Sequence, residues 1–181
     1  MGKYRKMLSD WEAPYIQSLV SLIVTQSKTT LLNWALDYAE QVILPLWHKY
    51  HPKDGRPQKA LAAARAWQLK EIKLTQAKPI ILDCHAAARE SASNPVAQAA
   101  ARAIGQCASA IHSIKHCIGL VLYGPMAIAY DKIGIDASWE RLEQCAAVEC
   151  NRMLIALKKN SVDNEQHPAP IYFTKKHQTL C

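Results

Sequence analysis

Three histidines and an arginine fall at helical spacing in the middle of the chain: His85 and Arg89 are four residues apart, as are His112 and His116. A four-residue step puts two side chains on one helix face, and two imidazoles so placed match a spacing used to bind zinc. On a helical wheel His112 and His116 cluster with Ser109 and Gly105 on the flank of an apolar stripe. His85 lies within the inward stripe of Ile81, Cys84 and Ala88. Such a seam between neighbouring antiparallel helices could hold a metal or form a polar contact surface. No His-Glu-x-x-His, Cys-x-x-Cys or acidic third ligand at a telling spacing accompanies it. The favoured reading is therefore partly buried imidazoles bonded to backbone or carboxylate, with no metal.

Asp37 and Glu40 are candidate partners for Arg56, Arg65, Arg89 or a histidine, or else part of a solvated face. Trp34, Trp47 and Trp67 fall on apolar spacing and read as core anchors rather than recognition elements. There is no Gly-x-Ser-x-Gly elbow, and Cys84 points to a different side of its helix from His85. With only six glycines, the chain has neither a phosphate-cradling loop nor a dinucleotide fingerprint. No cofactor is implied.

The elements that must position these residues are helical. A first long helix is predicted from Thr30 to His51, with a kink or break at Pro45. A second follows from Pro57 to Leu69 and a third from Thr75 to Ser91, with Pro79 in or near its first turn. Ser93-Asn94-Pro95 starts a fourth, which the apolar stripe carries through Ile111 and Ile114 to a bend at Cys117–Gly119. A fifth runs from Leu120 to Ile133, and a sixth, capped by Asp136 or Ser138, to Lys159. The patch from Tyr15 to Val24 suits a helix or a strand, and a helix is favoured because nothing else offers a strand partner. Three Ala-Ala-Ala-Arg quartets end at Arg65, Arg89 and Arg102 at unequal separations, so they are close-packing faces and not a solenoid repeat. The fold class expected is all-α: one helical bundle of six to seven helices over residues 29–159, an N-terminal extension over 1–28 and a polar tail over 160–181.

With 181 residues, half hydrophobic and a fifth charged, the chain can build one sizeable core. No apolar run reaches the roughly 20 residues of a membrane span, no signal peptide is read at the start, and no membrane partner is expected. The six cysteines are read as core fillers, since five fall on helical apolar spacing. That favours the cytoplasm. The net charge of +7 favours acidic partners, but it is thinly spread, and a single phenylalanine argues against a stacking platform for nucleic acid.

An ordered set of motifs runs from Leu31 to Ile133. It comprises Trp34-Ala35-Leu36-Asp37-Tyr38-Ala39-Glu40 with Leu44-Pro45-Leu46, and Asp54-Gly55-Arg56-Pro57-Gln58-Lys59-Ala60 leading to Ala64-Arg65-Ala66-Trp67. His85-Ala86-Ala87-Ala88-Arg89 follows, then Ala99 to Gln106, Ala110-Ile111-His112 and His116. As a set it resembles the bacterial immunity-protein-five-like family found with polymorphic toxin systems. The resemblance implies an all-helical, non-catalytic domain that binds and neutralises a cognate protein toxin. No catalytic residue carries over, while the histidines and Arg56 match the family pattern. Inhibitors of nucleases often present acidic surfaces, so a chain at +7 implies a toxin that is not a strongly basic nuclease. The alternatives are a small metal-binding protein or enzyme using His85, His112 and His116, or a basic nucleic-acid-binding helical protein; self-association stays open.

Overall fold

A computed structural model describes residues 4–171, which form helices and connecting turns with no strand among them. The bundle is built round one helix. Of the fifteen residues of α6 (Pro95–Ser109), only Arg102 and Gln106 escape burial. A helix apolar on every side must be covered on every side, and alanine at positions 97, 99, 100, 101, 103 and 108 lets neighbours approach closely. Five helices pack against it: α2 (Lys28–Tyr38), α3 (Leu44–Tyr50), α4 (Arg56–Gln68), α5 (Leu74–Glu90) and α7 (Ile118–Ile133). An outer layer is formed by α1 (Pro14–Ile23) against α8 (Trp139–Asn160).

The starts are chemically specified. Ser27 accepts from the Thr30 N–H at 3.2 Å and Asn94 from Ala97 N–H at 3.0 Å, while Pro14 and Pro95 open their helices where no N–H is needed. The α2 and α3 segments make one continuous rod joined by a π-helical turn, Ala39–Ile43, in which the Leu44 N–H reaches back five residues to the Ala39 carbonyl. Pro45 explains the wide turn. It has no N–H for the carbonyl of Gln41 and its ring would strike that carbonyl, so the preceding turn opens. Counting this rod once, the described residues contain seven helical rods.

Two expectations need correcting. Pro79 lies beyond the first turn of α5, which runs through it without interruption from Leu74 to Glu90. The fourth predicted helix does not reach Cys117. It tightens at Ala110, whose N–H bonds three residues back to Cys107, and ends there, because Ser113 is extended (φ −145°) and starts a separate 3-10 turn, Ile114–Cys117. His112 and His116 therefore do not share a regular helix. As expected, α7 runs unbroken through Gly124 and Pro125, with Gly124 lying close against Met153 and Ile43.

Residues before 29 and after 159 join the same core. Leu8, Ile16, Leu19 and Ile23 are buried, and Leu8 N–H bonds to the Leu122 carbonyl at 3.0 Å. After α8 the chain returns to Gln26, whose side chain bonds Val162 in both directions and whose carbonyl accepts from Ala169 N–H at 2.8 Å. The remaining tail residues and Cys181 lie outside the described residues. The five described cysteines are free thiols, and all but Cys145 are buried.

Candidate functional site

Although the predicted helix carrying His112 and His116 breaks, the three histidines converge. The α5 helix presents His85 across the seam to α6, where its Nε2 lies 3.3 Å from Ser109 Oγ. The ring rests on Gly105; a Cβ there would lie 2.7 Å from His85 Cε1. The absence of a side chain at residue 105 is what admits the imidazole. His116, on the 3-10 turn, donates from Nδ1 to Gln106 Oε1 at 2.7 Å. The His112 ring lies 5.0 Å from that of His116. Arg89 lies exposed one turn beyond His85 on α5, and Arg102 is half-buried on α6.

Among the described residues no acid acts on this cluster, and its electrostatics follow from that. Burial, then the positive charges of Arg102 and Arg89 and the other two imidazoles, lower the pKa of His85 to about 4. His112 is lowered by burial and by Lys78 and Lys28, and His116 by burial, His112 and Lys115. The rings are neutral hydrogen-bonding groups at neutral pH. As a general base His85 is mistuned, since proton transfer works best with a pKa near the operating pH. Cys84 is no substitute: its buried thiol is pushed up to about 12 and faces the Ala101 carbonyl at 3.5 Å. Among the described residues, no group of three or more His, Cys, Asp or Glu is arranged to hold a metal ion.

The remaining sequence candidates separate into two ionic clusters and a cleft. Asp37 and Glu40 meet Arg65, whose Nη2 bonds to Asp37 and, at 3.0 Å, to Glu40. This fork ties α4 to the α2–α3 rod at its π-helical turn. Arg56 is held by Asp54 at 2.7 Å and Glu90 at 2.6 Å, linking the start of α4 to the end of α5. These pairs keep Arg56 and Arg65 firmly charged and lower Asp54 and Glu90, chiefly through the hydrogen bonds to Arg56. Arg56 and Arg65 therefore act as positioning groups for α4, while Arg89 has no ion pair among the described residues.

Trp34 and Trp47 are fully buried anchors whose indoles donate to the carbonyls of Met153 and Asp54. Trp67 differs. It is half-buried at the end of α4, with the Lys28 ammonium 5.2 Å from its ring, and it lines a cleft of about 700 Å³ between the start of α2 and the α4–α5 turn. It packs against the edge of the core, one residue before the end of α4.

One constellation was not legible as a site. Glu149 is 2% exposed on α8, accepts from the Tyr38 hydroxyl and pairs with Arg152 at 3.2 Å. Its signal was a carboxylate on the apolar stripe of Leu142, Ala146 and Met153. Burial and the neighbouring carboxylate raise the pKa of Tyr38, so the phenol keeps its proton and donates.

The sequence model of the family described as "Imm-5 like putative immunity protein" matches residues 21–153. No curated protein and no solved structure matches the chain. The matched span runs from within α1 into α8 and contains His85, His112, His116, Arg56, Arg65 and Trp67.

Proposed function

Because the chain belongs to the family of Imm-5 like putative immunity proteins, we propose that it binds a cognate protein toxin in the cytoplasm and blocks it without catalysis. The observation that carries this reading is the family match across nearly the whole bundle. The geometry is compatible with it. Neutral imidazoles beside helices tied by Arg56 and Arg65 give a surface that can recognise a partner, and the described residues of this seam supply no tuned base or activated nucleophile.

Within this reading His85, His112 and His116 with Arg89 form a polar contact seam, and Asp37, Glu40 and Arg56 hold the helices that present it. The partner would be a toxin that is not a strongly basic nuclease, since the net charge of +7 works against a basic surface. The test is co-expression with the product of an adjacent toxin-like reading frame. Stoichiometric coelution together with restored growth is the expected result. Restored growth with no physical complex would overturn the proposal.

A further inference from the structure

We propose that the cleft at the α4–α5 turn docks an acidic segment of the partner protein, with an apolar side chain of that segment laid on Trp67. The inference rests on the toxin-binding reading for the identity of the partner, but the site is argued from its own geometry. Lys28, Lys70 and Lys73 line the cleft against a single carboxylate, Glu71. Trp67 and Ile72 form its apolar wall, and the same turn exposes Leu69 (68%) and Leu74 (37%). An aromatic anchor within an apolar patch, rimmed by like charges, is the composition that a protein interface of opposite charge requires.

Two further observations bear on it. The turn is held in a costly conformation. Glu71 N–H bonds to the Ala66 carbonyl and Lys70 N–H to that of Trp67, both at 2.9 Å, the paired bonds that close a helix end. They force Lys70 to φ 63°, a left-handed position where glycine is usual. A lysine kept where glycine would cost less points to use of its side chain. The basic surface also continues past the cleft. Lys28, whose ammonium donates to the Ile111 carbonyl at 3.0 Å, joins it to His112, which burial and then Lys78 and Lys28 disfavour as a cation. Among the described residues Lys70, Lys73, Lys78 and Lys115 have no ion-pair partner. An acidic segment lying along this path would neutralise charges that the fold leaves uncompensated. The single tryptophan on the cleft wall favours a peptide over nucleic acid, since one ring offers no run of stacking sites.

The test titrates the full chain with a short acetylated Glu/Asp-rich peptide containing one central leucine, at about 150 mM salt, where exposed charges are screened beyond roughly 8 Å. Calorimetry and tryptophan fluorescence are the readouts, and a duplex DNA and a single-stranded RNA are titrated in parallel. The expected result is peptide binding with a change in tryptophan emission, weakened about tenfold or more by Lys73→Glu and by Trp67→Ala, with circular dichroism unchanged. Lys73 is exposed, so its variant reads the site even if Trp67→Ala unfolds. Absence of peptide binding, equal affinity in Lys73→Glu, or tighter binding of either nucleic acid would overturn the proposal. Failure of the wild-type chain to capture the toxin overturns the neutraliser reading separately, because the peptide titration does not use the toxin.

Discussion

His85 shows how burial without a compensating negative charge sets the state of an imidazole. Its neighbours are a serine hydroxyl, a glycine and positive charges, so burial has nothing to offset it and the ring stays neutral. The consequence for stability has a definite sign. A folded-state pKa of about 4, below the ordinary 6.5, means that the unfolded chain takes up the proton first. Stability is complete above about pH 6.5 and is lost as the pH falls towards about 4. Urea unfolding across that window should show a steeper fall for the wild type than for His85→Gln, and equal slopes would refute the assignment. Gly105 makes the same point sterically. Gly105→Ala places a methyl 2.7 Å from the ring and is expected to cost about 1–3 kcal/mol by overpacking. Most of that loss should be recovered when His85→Ala is added, and unfolding of the single and double variants measures the coupling.

At the scale of elements, the Schellman turn after α4 offers a separable prediction. Lys70→Gly relieves a left-handed lysine at φ 63° and is expected to stabilise the chain by about 0.5–1 kcal/mol. If the cleft is a docking site, the same variant binds the acidic peptide less well; thermal unfolding and titration on one sample read both effects. The first helix yields another. Leu19 is fully buried on α1, so Leu19→Ala should destabilise the fold by about 2–5 kcal/mol in denaturant unfolding. Most helices were legible because their signals are local: Asn94 before Pro95, Ser138 as a cap, and alanine-rich stripes. What failed was decided at longer range. The stripe through Ile111 and Ile114 continues past the end of α6 because both residues are buried by the turn, and hydrophobic spacing alone does not report that the backbone between them has become extended at Ser113. The convergence of the histidines was legible as a possibility from spacing. The partners that fix them, Ser109 and Gln106, depend on how α5 and the 3-10 turn pack on α6. The lysine cleft was not legible, since Lys28 and Lys73 are brought together only by the fold.

For the molecule as a whole, a central alanine-rich helix is covered on all sides, and the excess positive charge is left on the periphery. Ion pairs are spent on holding α4 in place through Arg56 and Arg65, while the lysines beside Trp67 remain uncompensated. A lysine-rich, aromatic-anchored patch is what the proposed capture of an acidic partner would use. The central claim is stoichiometric, and so is its most direct test: toxin activity titrated with increasing amounts of the purified chain. Activity extinguished at equimolar ratio, in step with complex formation by native mass spectrometry, is the expected result. Neutralisation by a small fraction of an equivalent, with the toxin left chemically altered, would contradict the account.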